Sequence, residues 1–428
     1  MIIQYKFLSL ARIGKTWKAK ALYAPLLAVA MGLMMVRPLL MARLFEPQEF
    51  STYIAGLLVS STFCVLGCLG LQPLLQRRMP MDFVAGEEHS SFVLLFQSIF
   101  VALFLALLGV SLSFTEVSIA GLSGSFLAVS IIHGLSQQIF VLATVESRSR
   151  GEVLRFSWQN IVRAVLVVGV AGGFAWHIRS PSLTLLVEAV LSLFLGFRIV
   201  VGGIKRSPYE LCYLFFFSFK KISKVRWVDS LLLMVVMLAG FLLANIDRWM
   251  AASFLTSEQF ALYGFAWVLL SAAQSVQAIV NSSVYPALAR RYAVSGTSSS
   301  FRVAAKVSLI LLAVGFVFSI PFYYMAVSII NKWFIGYEPS VGVIHVFLAV
   351  AAIRVSDFWS SHLIIIGKEK VVVLLNVVSA SLAMVTVAIL YPSVFIGEVT
   401  LEKLSYLALF LTSTNYVLVF LTSVKFRK

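Results

Sequence analysis

The sequence predicts an all-α polytopic membrane protein of about twelve transmembrane helices, arranged as two related halves of six. Three observations carry this reading. Of 428 residues, 60% are apolar and 12% charged, with a mean hydropathy of +0.96, far from the composition of soluble domains. Apolar runs of about 20 residues recur along the chain, long enough as helices to cross a hydrocarbon core of about 30 Å. A weak internal repeat relates the two halves.

The repeat is clearest at residues 245–292, "NIDRWMAASFLTSEQFALYGFAWVLLSAAQSVQAIVNSSVYPALARRY", and at 37–78, "RPLLMARLFEPQEFSTYIAGLLVSSTFCVLGCLGLQPLLQRR". An offset of about 210 residues places Phe50 on Phe260, Tyr53 on Tyr263 and Arg37 on Asp247. Each copy ends one apolar segment, turns through a few polar residues and opens the next.

The first apolar run follows Lys6, Arg12, Lys15, Lys18 and Lys20. Its length, Arg37-Pro38 within it and the lack of a small-x-small cleavage site argue for a retained span rather than a signal peptide. The spans are expected at 22–42, 51–71, 91–112, 119–143, 157–176, 183–203, 229–250, 260–281, 303–327, 341–364, 371–391 and 404–424, with ends uncertain by several residues. The runs at 119–143 and 303–327 are long enough to tilt or protrude. The N-terminal half is therefore 1–203 and the C-terminal half 229–428. Between them, 204–228 reads "IKRSPYELCYLFFFSFKKISKVRWV". Its mixture of basic and aromatic residues suits an interfacial segment on anionic lipid, or simply a solvated basic loop. Its one apolar run, 211–219, is too short to span.

Charge sets the expected orientation. With a cytoplasmic N-terminus, inner segments hold 24 of the 34 Lys and Arg, and the outer turns hold five: Arg43, Arg179, Arg248, Lys332 and Lys403. That asymmetry is the positive-inside rule, and it predicts both termini in the cytoplasm. The net charge of +16 is scattered between apolar runs, so no nucleic-acid partner is expected. Three cysteines are too few for a disulfide framework; Cys64 and Cys68 read as packing residues.

Ionisable groups at membrane depth are costly and usually face a bundle interior or a water-filled cavity. Arg37, Arg163, Lys306 and Arg354 are the candidate cations, and Glu188, Asp247 and Asp357 the candidate acids. Each has a plainer reading. Arg37 and Lys306 can snorkel to an interface, Glu188 can pair with Arg163 on the preceding helix, and Arg354 and Asp357, three apart, can pair along one helix face. Polar stripes accompany them: Ser130, His133, Gln137 and Thr144; Ser271, Gln274, Gln277 and Asn281; Asn376, Ser379 and Thr386; and Asn160, one turn before Arg163. Such stripes serve as interhelical hydrogen bonds or line a wet interior. His133 reads as a satisfied interior residue more than a proton carrier. More cations than acids at depth suits an anionic cargo such as a phosphate or pyrophosphate. No catalytic arrangement, metal-ligand cluster or phosphate-cradling loop is legible, and no enzyme activity is expected.

"NIDRWMAASFLTSEQFALYGFAWVLL", with the following "SSVYPALARRY", resembles the polysaccharide translocase family of O-antigen and exopolysaccharide (Wzx-type) flippases, within the multidrug/oligosaccharidyl-lipid/polysaccharide exporter superfamily. Asp247, Glu258, Tyr263 and Ala266 fit the family pattern, whereas Ala261 stands where glycine is usual. "LMARLFEPQEFSTYIAGLL" is similar to the family's first turn, with Ser51 in place of glycine. "NKWFIGYEPSVGVIHVFL" is a looser match to a later turn. The resemblance implies two pseudo-symmetric six-helix bundles around a central cavity, alternating between inward and outward openings. It implies an undecaprenyl-pyrophosphate-linked oligosaccharide as cargo in a bacterial inner membrane, a polysaccharide polymerase and chain-length regulator as partners, and H+ or Na+ as a coupling ion. Arg37, Arg163, Lys306 and Arg354 would then face the pyrophosphate, and Glu188, Asp247 or Asp357 the ion. Competing readings are a multidrug or cation antiporter of the same superfamily, a lipid II flippase, a membrane polysaccharide polymerase or ligase, and a structural or regulatory membrane subunit. The short outer turns weigh against the enzymes.

Overall fold

The structure, a computed structural model, describes residues 2–115, 121–390 and 399–427. Within them, side chains before Leu22, many between 272 and 293, and a few elsewhere (24, 84, 383, 386, 387 and 390) lie outside the description. The described chain is almost wholly helical, and ten of its helices are long and apolar enough to cross a membrane. It is a multi-pass membrane protein.

The N-terminal half contains α1 (Ile2–Leu44), α2 (Pro47–Leu66), α3 (Leu71–Ala85), α4 (Glu88–Ser113), α5 (Gly124–Ser149), α6 (Val153–Ile178) and α7 (Pro181–Ile204). A short helix, α8 (Leu211–Lys220), lies in the linker. The C-terminal half begins with α9 (Trp227–Phe254). Residues Ser257–Trp333 follow as two helices, α10 (257–295) and α11 (297–333), parted at Gly296, whose φ of 73° ends the first. Leu288 and Ala304 meet in one small apolar cluster with Phe358, so the chain folds back there. Then come α12 (Val341–Val355), α13 (Trp359–Ile365), α14 (Glu369–Leu390) and α15 (Leu401–Lys425). At 1.5 Å per residue, α10 is about 58 Å long, nearly twice the hydrocarbon thickness. Each of the twelve expected spans overlaps one or more of these helices; the eighth and eleventh fall on α10 and α14, which are not among the ten.

The repeat is structural as well as sequential. Glu46 and Thr256, 210 residues apart, are the N-caps of α2 and α10. Glu49 Oε2 accepts from the Glu46 backbone N–H at 3.1 Å, and Thr256 Oγ1 accepts from that of Gln259 at 3.3 Å. These side chains satisfy amide groups that a helix start otherwise leaves unpaired. One turn further, Phe50 and Tyr53, and Phe260 and Tyr263, point inward and are buried.

Both copies feed one large apolar cluster at the end of the molecule bearing these turns. It contains Met41, Phe45, Phe50 and Ile54 from the first half, and Phe265, Tyr337 and Phe347 from the second. Phe50 meets Tyr337 edge-on at 5.7 Å, and a Cβ on Gly264 would lie 3.0 Å from Ile54. At the opposite, linker end Trp227 and Leu233 of α9 pack against the apolar cluster of the N-terminal half, whereas the small clusters around Trp359 and Phe358 stay apart from it. There the halves touch where Ser230 Oγ donates to the Leu69 carbonyl at 2.5 Å. Gly70 (φ 79°) sits so close that a Cβ would fall 1.9 Å from the Ser230 carbonyl oxygen. Among the described residues the halves are thus joined through several helices at one end and chiefly through α9 at the other.

Candidate functional site

In the N-terminal half, the polar side chains condense on Glu188, which is fully buried on α7. Its Oε2 takes Arg37 Nη1 at 2.8 Å and lies 3.2 Å from His133 Nε2, and its Oε1 accepts from Tyr53 Oη at 2.9 Å. His133 in turn meets Ser60 Oγ through Nδ1 at 2.7 Å and Gln137 Nε2 at 3.1 Å. A carboxylate in so dry a place needs this many partners, because an unpaired buried charge is unfavourable by several kcal/mol. Glu188 therefore pairs with Arg37 and not with Arg163 as the sequence suggests: α1 packs along α6 and carries Arg37 onto α7. Arg163 instead lays its guanidinium 4.5 Å over the Phe140 ring and donates from Nε to Ser192 Oγ at 3.3 Å. Asn160 turns back to the Phe156 carbonyl at 2.8 Å.

The C-terminal half repeats the tyrosine with a different acid. Tyr263 Oη donates to Asp247 Oδ2 at 2.6 Å, and Oδ1 has no partner among the described residues. Arg248, expected in an outer turn, is 5% exposed; its guanidinium lies 3.7 Å over the Trp267 ring and donates to Asn245 Oδ1 at 3.1 Å. The pair expected between Arg354 and Asp357 does not form. The helix stops at Val355, and Asp357 falls in the break before α13, where it accepts from the Ser360 hydroxyl at 2.8 Å and backbone at 3.3 Å. Arg354 reaches Thr412 Oγ1 at 3.3 Å and the Ala244 carbonyl at 3.4 Å. These two residues line a cavity of about 270 Å³ inside the C-terminal bundle, together with Gln277, Asn376 and Asn415.

A larger cavity, about 600 Å³, opens between the halves at the linker end. Arg77 and Arg78 of α3 stand on one side, Lys370 and Glu369 of α14 on the other, and Arg226 and Asp229 at the start of α9. Its walls are aliphatic: Leu74, Met81, Leu232, Leu233, Val235, Val236 and Val373. Arg226 and Asp229 pair at 2.7 Å, which leaves Arg77, Arg78 and Lys370 against Glu369.

The structure does not bring the four candidate cations into one cavity. Arg37 and Arg163 belong to the packed N-terminal network, Arg354 to the smaller cavity, and Lys306 is exposed beside Leu309 and Ile310. Gln274, Asn281 and Thr386 lie outside the described residues. Sequence reasoning missed Arg77, Arg78, Arg226 and Lys370 as lining residues, counting them only as positive-inside charges. It also missed the tyrosines as partners, although the repeat had aligned them.

No known family model matches the chain, and no curated protein matches it. Solved structures do match in fold. An outward-facing multidrug resistance MATE family transporter of the MOP superfamily superposes with a TM-score of 0.63 at 12% identity, over 95% of each chain. An inward-facing one gives 0.60 at 14%, over 94% of each. A MOP superfamily transporter from Pyrococcus furiosus, described as having a binding pocket of reverse polarity that suggests a different function, gives 0.56 at 13%, over 95% of each. The chain has the fold of these transporters.

Proposed function

We propose that the protein is an alternating-access transporter of an anionic amphiphile, and that its cargo is an undecaprenyl-pyrophosphate-linked oligosaccharide moved across a bacterial inner membrane for surface polysaccharide synthesis. The observation that carries this reading is the linker-end cavity, where a cation-rich rim meets an aliphatic wall between the two halves. A phosphate needs the first and a prenyl tail tolerates the second. The uneven joining of the halves, broad at the turns and chiefly through α9 at the linker, suits rocking about the broad end. With the linker end cytoplasmic, as the distribution of Lys and Arg indicates, the cavity faces the side on which such a lipid would be loaded. The oligosaccharide and the polyprenol themselves rest on the sequence resemblance.

Multidrug export is the second reading, favoured by the fold neighbours and by Asp357 in the smaller cavity, where a cationic drug could meet a carboxylate. The two readings separate in reconstituted vesicles. For the first, R77Q/K370Q slows flipping of a fluorescent prenyl-pyrophosphate oligosaccharide and leaves cationic dye efflux absent in both proteins. Efflux of a cationic dye that D357N abolishes, with no flipping of the lipid, would overturn it in favour of the second.

A further inference from the structure

We infer that the linker forms a second binding site, one for a phosphate group, which adjoins the linker-end cavity, shares Arg78 and Arg226 with it, and adds Lys221 and Lys224 of its own. A pocket of about 280 Å³ lies between the linker, α3 and α4. Its charged lining is Arg78, Lys221, Lys224 and Arg226, with His89, Ser90 and Gln97, and no carboxylate among the lining residues. Arg226 is already paired to Asp229, but Arg78, Lys221 and Lys224 have no carboxylate within 4 Å among the described residues. Three unneutralised cations around one hollow repel one another, and a bound anion relieves that repulsion.

The surroundings are arranged to tolerate an anion. The pocket lies beside the C-terminal end of α8, whose free carbonyls carry partial negative charge. Gln97, 5% exposed, donates from Nε2 to two of them, the Lys221 carbonyl at 3.0 Å and the Ser218 carbonyl at 3.4 Å. The other side is the first turn of α4, which supplies His89 and Ser90 and the positive end of a 26-residue helix. The acid of that turn, Glu88, is held by Arg150 through two hydrogen bonds of 3.2 and 2.8 Å and does not line the pocket. His89 is fixed by Tyr209 and Phe217, with ring centres at 5.0 and 5.1 Å. The volume holds a phosphate and several waters, each water taking about 30 Å³.

The geometry points to a lipid headgroup as the source of the phosphate. α8 buries Leu214 and Ser218 against the bundle and leaves Phe216 (71%) and Phe219 (63%) exposed. Large exposed aromatics beside Lys220, Lys221 and Lys224 are what an interfacial helix presents to a membrane.

The test measures phosphatidylglycerol bound to the full-length protein in nanodiscs of otherwise zwitterionic lipid, by native mass spectrometry and by the shift in thermal midpoint. K221Q/K224Q is expected to weaken phosphatidylglycerol binding about thirtyfold, which is about 1 kcal/mol per basic residue near the lipid surface. The control K205Q/K220Q removes the same charge from exposed positions outside the pocket and is expected to lose clearly less, no more than the general surface attraction of those charges. Equal retention by wild type and K221Q/K224Q, or equal loss in both double variants, overturns the site. Addition of inorganic phosphate distinguishes the sources. No displacement at millimolar phosphate supports the headgroup, and displacement with the same thermal shift reassigns the pocket to free phosphate.

Discussion

Replacing Glu188 by glutamine should be among the most destabilising isosteric changes available to this protein. Glu188 is fully buried and holds Arg37 at 2.8 Å. At an effective dielectric of about 20, two unit charges about 4 Å apart interact by about 4 kcal/mol, and removing one partner of a buried pair typically destabilises by about 3–5 kcal/mol. The same substitution weakens acceptance from Tyr53 and His133. R37M should cost a similar amount, because it leaves the carboxylate with only neutral donors. The double variant R37M/E188Q removes both charges, so it should be more stable than the sum of the singles by about 2–3 kcal/mol, near the upper limit of measured couplings. Equilibrium unfolding of the four proteins in one detergent measures the cycle. Single variants within about 1 kcal/mol of wild type, or strictly additive losses, would refute the ion pair and return Arg37 to the role of a free cation.

Other outcomes are as specific. G70A should fail to accumulate as folded protein, since its Cβ would lie 1.9 Å from the Ser230 carbonyl oxygen, whereas G86A, with a similar φ of 78° and open space around it, should lose only about 1–2 kcal/mol; size-exclusion yield separates them. Y263F should destabilise by about 1–3 kcal/mol by stripping Asp247 of its one hydrogen bond among the described residues, read by thermal unfolding. E146Q should lower stability by about 1–3 kcal/mol, because Glu146, only 3% exposed, joins Arg150 at 2.7 Å and Arg155 at 2.9 Å, both partly exposed; S147A nearby should be milder.

Much of the fold was legible because length and hydropathy are properties of one segment at a time. A run of about 20 apolar residues must be a helix in lipid, whatever packs against it. The repeat was legible for a similar reason: each copy closes one apolar segment, turns through a few polar residues and opens the next, with Phe50 aligned on Phe260 and Tyr53 on Tyr263. α3 was not, since Gln72, Gln76, Arg77, Arg78 and Asp82 interrupt its apolar residues and make it pattern with the loops. The break at Ser356 also escaped notice, because nothing between Arg354 and Asp357 forbids helix. Partner choice was the least accessible. Arg37 and Arg163 are both single cations on apolar spans, and only the packing of α1 against α6 decides which reaches Glu188. The rim of the larger cavity was hidden for the opposite reason, since Arg77, Arg78 and Lys370 look like any basic loop until the halves are set side by side.

The account turns on whether the two halves move as bodies around that cavity. Spin labels at Ala85 and Lys368 report the linker end, and labels at Gln48 and Glu338 report the turn end, each pair placing one exposed label in each half. Distances measured by electron–electron double resonance, with and without the prenyl-pyrophosphate oligosaccharide, should shift in opposite senses at the two ends. Unchanged single distances at both ends in a protein that is transporting would contradict it.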